Sequence, residues 1–477
     1  MAQPPAITDA EALRLGRLDA HGQAALLRSG EVSGLELVEA AIRRIELIDP
    51  AINSVSVRAF DLARACAAAP RDGAHPLAGV PYLIKDSLAY PGLPSRAGSR
   101  SRSDAPATAA YPFIRSFDAQ GLVPVGKSTM AEFGMLVSNE TLRYGPTNNP
   151  WDLARSPGGS SGGAAAAVAA GLVPLAHGSD AAGSIRVPAA ACGLVGFKPS
   201  RGANLRARHV HWLDDMLCSD AMFTRSARDA AWAVAVASPG ATSPVTGPSE
   251  RRLRIALVME GMDHRAPHPA VAEAVRRTAE LCEGLGHTVE EIARPTEDAP
   301  ILFALMEVLW PFLGREAVDQ AQSEHPGRLL EDLLEPWAIA LAEHCDKVTP
   351  AALESAFTTL ARAPEVAQAF FKRYDVMLTP TLAEPAVLTG ELAPTLPRAA
   401  LLERFIRFSP YTPLQNMAGS PAISLPLFTT HDGLPVGSMF AADRGGDRTL
   451  LALAHELEAA LPWADRWPAI YTQAEAR

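Results

Sequence analysis

Ser156-Pro-Gly-Gly-Ser-Ser-Gly-Gly-Ala-Ala-Ala-Ala167 sets two serines among four glycines, ahead of an alanine run. Its reading decides between two α/β folds, because Gly158 to Gly162 satisfies G-x-S-x-G. A nucleophile elbow needs a hydrophobic strand directly before that pattern and a helix directly after it. The helix is present: alanines continue to Ala170 and Gly171 ends them. The strand is absent, since Pro146 to Pro157 reads PTNNPWDLARSP, which is loop material. The histidine that an elbow serine would need is missing too, because His455 sits inside an ordinary amphipathic helix. The block is therefore a loop feeding a helix, in some other α/β arrangement.

Outward from this block lie short apolar runs suited to buried strands: GVPYLIKD (79–86), GLVPVGKS (121–128), GLVPLAHGSD (171–180) and RIALVME (254–260). YDVMLTP (374–380) follows, and PAISLPLF and LPVGSMFAA flank a turn at His431-Asp432-Gly433, a hairpin pattern. From Asp9 to about Ala69 apolar residues recur at helical spacing, and Ser33 with Glu36 forms a capping-box signature. Residues from about 261 to 375 are mostly helical, and Leu450 to Ala460 reads as the final helix. The fold class expected is α/β: one large α/β/α domain with a mixed, mostly parallel central sheet covered by helices, plus a helical insertion. Its parts are N-terminal helices (1–70), a catalytic core (75–250), a helical insert or cap (261–410) and C-terminal strands and helix (411–477). Gly121 to Ser128 matches the phosphate-loop pattern letter for letter. There, however, LVPV is itself the strand, and its proline has no amide to offer a phosphate.

The 477 residues are 48% hydrophobic and 20% charged, a soluble globular composition, and 43 basic against 53 acidic residues give a net charge of −10. Phosphate backbones repel such a chain, so no nucleic-acid partner is expected. The N-terminus lacks the basic start and apolar core of a signal peptide, and no run is long enough to span a bilayer, so the expectation is a cytoplasmic protein without a membrane partner. Five widely spaced cysteines with no Cys-x-x-Cys pair read as free thiols. His209 and His211 alone do not make a metal site, and neither metal nor cofactor is expected.

Chemistry concentrates around Gly178-Ser-Asp-Ala-Ala-Gly-Ser-Ile-Arg-Val-Pro188. Small residues ahead of Ser184 let the amides of Ala181, Ala182, Gly183 and Ser184 approach a ligand as an oxyanion hole would. Lys85 ends an apolar strand, where burial disfavours its charged form and leaves it able to act as a base. With Ser160 these residues make a serine–serine–lysine relay without histidine. Each piece has a plainer reading: a turn serine, a solvated Lys85–Asp86 ion pair, and a loop-fixing salt bridge between Asp180 and Arg186.

Together the pieces resemble the amidase signature family over nearly the whole chain. The resemblance is carried by Gly79-Val-Pro-Tyr-Leu-Ile-Lys85-Asp86, Gly126-Lys-Ser-Thr-Met-Ala-Glu-Phe133, Asn148-Asn-Pro-Trp151, Ser156 to Gly163, Asp180 to Arg186 and Gly193-Leu-Val-Gly-Phe-Lys-Pro199. It implies that Ser184 is the acylated nucleophile, that Ser160 bridges protons across a cis bond from Gly159, and that Lys85 is the base. Ser161 is implied as a supporting residue, and Phe133 to Val137 as the acyl-side wall, with Gly134, Met135 and Leu136 binding substrate. The family commonly has two glycines before the nucleophile; Ala182 departs from this, and its methyl is tolerated only if its backbone avoids positive φ. Trp310, Phe312 and Phe371 of the insert are candidates to cover the pocket. The implied reaction is hydrolysis of small or apolar amides to acid and amine, extending to carbamates (urethanes), esters or aminohexanoate oligomers. The alternative is the glutaminase subunit of a tRNA-dependent amidotransferase. The substrate is a small-molecule amide or carbamate, and a homodimer is left open.

Overall fold

Every apolar run quoted above contains a strand in the computed structural model, which describes residues 7–69, 75–208, 212–240, 242–295 and 297–476. The strands are β1 (Val55–Arg58), β2 (Pro81–Lys85), β3 (Val123–Ser128), β4 (Glu140–Thr141), β5 (Gly145–Pro146), β6 (Leu175–Asp180) and β7 (Gly196–Lys198). They continue with β8 (Ser219–Phe223), β9 (Arg254–Leu257), β10 (Thr288–Glu291), β11 (Val376–Pro380), β12 (Ala422–Thr429) and β13 (Pro435–Ala441). One sheet runs β1-β3-β2-β6-β8, a second runs β10-β9-β11-β13-β12-β7, and β4 pairs with β5. Val195 and Thr224 form an isolated antiparallel bridge, exchanging hydrogen bonds of 3.0 and 3.4 Å beside β7 and β8. Through it the two large sheets meet edge to edge.

The sheets are mixed and helix-covered, as α/β patterning requires, but parallel pairing does not dominate. Among the described residues β2–β3, β2–β6, β9–β10 and β9–β11 are parallel. Six pairings among them are antiparallel: β1–β3, β4–β5, β6–β8, β7–β12, β12–β13 and β11–β13. The hairpin at His431-Asp432-Gly433 forces one of these, and strands of three to five residues account for most of the rest. Two expectations about elements need correction. The helical stretch from Asp9 to Ala69 is interrupted by β1, whose alternation of Val55 and Val57 is too short to register as a period. The helix Asp447–Ala460 is not the last, because Ala469–Glu475 follows it.

Local chemistry explains the elements around the core. Ser33 Oγ accepts from Glu36 N (3.2 Å) while Glu36 Oε2 accepts from Ser33 N (2.7 Å), capping helix Gly34–Ile52 as its sequence requires. Helix Gly162–Ala169 is buried along its whole length, packed on β2, β3 and β6 and on helix Arg186–Cys192. Alanine and glycine are the residues that let a helix be enclosed on every side at close-packed density. Its far end is held by Arg44, fully buried, which donates to Gly171 O (2.7 Å), Leu172 O (3.1 Å) and Ala12 O (2.6 Å). The insert contributes helices from Asp298–Phe303 to Arg398–Phe408, whose apolar faces share one cluster with Met135, Leu136 and Ala182. None of the five cysteines is in a disulfide, and among the described residues no helix is long and apolar enough to cross a membrane.

Candidate active site

Parallel neighbours β2 and β6 end side by side and present Lys85 and Ser179-Asp180 at the same edge. The glycine-serine block crosses this edge before entering its helix. A side chain at Gly159 would lie 2.3 Å from Ser138 O, so only glycine fits there, and the Gly159–Ser160 bond is cis. Lys85 Nζ donates to Ser160 Oγ (2.7 Å) and to Ser179 Oγ (2.9 Å), with all three residues buried. Ser161 Oγ donates to Ser179 O (3.2 Å) and accepts from Ser179 N (3.3 Å), which pins the strand residue that Lys85 touches. Ser179 was not among the candidates read from sequence. Its one signal is that it lies within the same small-residue block as Ser184.

The plain ion-pair reading of Lys85 with Asp86 fails. Lys127 takes Asp86 instead, 3.0 Å away and equally buried, and also donates to Pro94 O (2.7 Å) and Ser95 Oγ (2.9 Å). The lysine of the phosphate-loop look-alike thus has a structural partner. Burial in turn lowers the Lys85 pKa to about 7, with the positive charge of Arg208 acting in the same direction. Asp180 and Arg186 form a fully buried bidentate pair, with contacts of 2.9 Å from Nε and 2.9 Å from Nη2. Burial alone would raise the Asp180 carboxyl, but the guanidinium outweighs it and holds the pKa at about 2. Arg186 reaches on to Gln415 Oε1 (2.9 Å) and Asn416 Oδ1 (2.7 Å), tying the loop to helix Pro413–Ala418.

This pair reshapes the expected oxyanion hole. The Gly183 amide donates to Asp180 Oδ1 (2.7 Å), so it is spoken for by the loop itself. Among the described residues the amides of Ala181, Ala182 and Ser184 donate to no protein acceptor. The amides left without a protein acceptor are therefore those three, and that of Gly183 is turned into its own loop. Gly183 has φ 134, and a Cβ there would lie 2.3 Å from Thr412 Oγ1. Thr412 Oγ1 donates to Ala182 O (2.6 Å), which turns that peptide's amide the other way. Ala182 itself is not in positive-φ backbone, so its methyl is accommodated without strain.

Ser160, Ser179, Ala181 and Ser184 share one cavity of about 90 Å³. Gly134 lines it, so close to the relay that a Cβ there would stand 3.3 Å from Ser160 Oγ. Met135 and Leu136 do not line it, contrary to expectation: their side chains are buried in the insert-facing core, and Met130 and Phe133 take the wall. What Met135 supplies is a carbonyl, which accepts from Trp310 Nε1 (3.1 Å) and Trp337 Nε1 (3.2 Å). Trp310 and Leu313 cover the cavity from the insert, with Leu213 and Leu217 beside them; Phe312 and Phe371 pack elsewhere. Arg208 is the charged side chain on the wall after the buried relay. His209 and His211 lie outside the described residues. Among those described, no cluster of histidine, cysteine and carboxylate could hold a metal.

The chain resembles known proteins over most of its length. The family model described as Amidase matches residues 36–451. AmiC of Mycobacterium tuberculosis (strain ATCC 25618 / H37Rv) is 39% identical over 460 residues, covering 94% of this chain and 96% of AmiC. The 6-aminohexanoate-cyclic-dimer hydrolase of Pseudomonas sp. (strain NK87) is 35% identical over 486 residues, covering 94% of this chain and 96% of that enzyme. Among solved structures, 6-aminohexanoate cyclic dimer hydrolase complexed with substrate superposes with a TM-score of 0.86 at 32% identity, over 96% of this chain and 99% of the other.

Proposed function

The chain belongs to the amidase signature family and is a hydrolase of amide C–N bonds; from that premise we propose that it works through an acyl-enzyme on Ser184. Neutral Lys85 accepts the Ser160 proton while Ser160 accepts that of Ser184, and Ser184 Oγ attacks the amide carbonyl carbon. The amides of Ala181, Ala182 and Ser184 hold the oxyanion. Collapse breaks the C–N bond, and the proton returns through Ser160 to the departing nitrogen. Water then attacks the acyl ester, gives its proton to the same relay and releases the acid, which restores Ser184.

The observation that carries this reading is the 2.7 Å contact between Lys85 Nζ and Ser160 Oγ, made by a buried lysine that no carboxylate among the described residues claims. Only a neutral amine can turn that contact around and accept the serine proton. The wall of Met130, Phe133, Leu213, Leu217, Trp310 and Leu313 favours an apolar acyl group. Carbamates, esters and aminohexanoate oligomers present the same carbonyl to the same donors. A serine-reactive covalent probe should label the enzyme stoichiometrically and leave Ser184→Ala unlabelled; persistent labelling of that variant would overturn the assignment. Amine release from aliphatic amides, p-nitroanilides, carbamates and aminohexanoate oligomers then ranks substrates. Ammonia release from glutamine only with added partner subunits would favour an amidotransferase.

A further inference from the structure

Among the described residues three carboxylates stand near Lys85, and each is claimed by another cation. Asp86 is held by Lys127 and Asp180 by Arg186, both pairs with side chains fully buried. The third, Asp220, is held by Arg208, whose side chain is 22% exposed at the cavity wall. Asp220 is placed by strand register: on β8 it lies directly opposite Ser179 of β6, so the two side chains share a face. Ser179 is the residue whose hydroxyl Lys85 touches. His177, two residues back along β6, also meets Asp220, with Nε2 3.0 Å from Oδ1. Burial pushes the His177 imidazole below its usual pKa despite that carboxylate, so it does not cancel the charge. Burial would raise the Asp220 carboxyl, but the charge of Arg208, with help from His177 and from the Lys85 ammonium, holds it below its ordinary value. Of the other polar groups here, Asp215 is taken by Arg206 (2.8 Å) and Lys198 donates to Pro199 O (2.8 Å), while Cys218 lines the same cavity and acts to raise the Lys85 pKa as Asp220 does.

We infer that Arg208 is a positioning residue which keeps Lys85 a free base by holding the charge of Asp220. Removing the guanidinium would leave a buried carboxylate one strand away from the amine, and the lysine would take a proton as its counter-ion. The inference rests on Lys85 being the base proposed above. Arg208 differs from Lys127 and Arg186 in being partly exposed, so it can be replaced without opening the core.

The test is the pH dependence of kcat/KM for a neutral amide, in the full chain and its variants. Arg208→Met should move the acid limb up by about one pH unit, the lower end of the effect of a close charge. Turnover near neutrality should then fall roughly fivefold, approaching tenfold at lower pH, while at about pH 9 it approaches that of the unmodified enzyme. Arg208→Lys should keep most of the original profile. Asp220→Asn alone should move the limb the opposite way, and in the Arg208→Met background it should restore the original position. A limb that stays in place in Arg208→Met, with the rate lowered by one factor at every pH, overturns the inference, as does a rise in KM with no movement of the limb. An unmodified enzyme with no acid limb at all overturns the reading of Lys85 itself, a separate outcome.

Discussion

Lys85 is buried and donates to two hydroxyls, each carboxylate near it among the described residues is paired with another cation, and burial lowers its pKa to about 7. The sign of the consequence follows from which form works. The charged amine cannot accept the Ser160 proton, so activity tracks the neutral fraction: kcat/KM should rise about tenfold per pH unit below about 7 and level off above it. A rate that falls between neutrality and about pH 9, in enzyme that remains folded, would contradict this. The residues of the relay were legible in the chain because Lys85, Ser160 and Ser184 each sit in a distinctive local block. Ser179, Asp220 and Arg208 were not. Their relation to Lys85 comes from cross-strand register, which no local pattern encodes. Local pattern also misplaced the Gly183 amide, because only the folded loop shows that Asp180 turns back to accept it.

Between elements, the insert is joined to the catalytic loop by a pair of buried carboxyl groups. Glu132 Oε1 accepts from Ser99 Oγ (2.7 Å), and its Oε2 accepts from the amide of Glu335 (2.9 Å), at the start of helix Pro336–Cys345. Glu335 Oε1 in turn accepts from Leu142 N (2.8 Å). Burial raises both pKa values, and for Glu335 the charge of Glu132 adds to the rise. A carboxyl raised in the folded state binds more protons folded than unfolded, so its stabilising effect is full below the ordinary carboxylate range and is lost as pH rises through the shifted value. Glu335→Gln should therefore leave the melting temperature unchanged near pH 4 and raise it by about 2 °C near pH 8.5, read by calorimetry. Equal shifts at both would show that the pair does not titrate with folding. Strands with apolar runs of five or more residues were readable from sequence. β1, β7, β8 and β10 were not, because three to five residues of mixed polarity carry no period. Met135 and Leu136 were assigned to the pocket by their position in the loop, yet a backbone turn at Phe133 (φ 48) and Gly134 (φ 77) sends them to the insert side.

At the largest scale, the eleven strands of two joined sheets among the described residues bring together positions separated by most of the chain length, and the α/β class was legible from strand-helix alternation alone. The balance of parallel and antiparallel pairing was not, since it depends on which strands become neighbours. The cover over the site is likewise a long-range product: Trp310 and Leu313 reach it from the insert, Leu213 and Leu217 from the stretch before β8. The space they leave, about 90 Å³, is well below the roughly 300–1,000 Å³ typical of pockets that take a drug-sized ligand. An amide much larger than a few heavy atoms can enter only by displacing that cover against solvent, a diffusive motion whose speed depends on the friction of the medium. Thickening the solution with sucrose should therefore slow kcat/KM for a bulky amide in proportion to relative viscosity, while a two- or three-carbon amide is hydrolysed at an unchanged rate. Equal indifference in both would mean that the cover stands open in water. Substrate preference would then be partly a matter of traffic, sorted by how far the door must swing before any bond is broken.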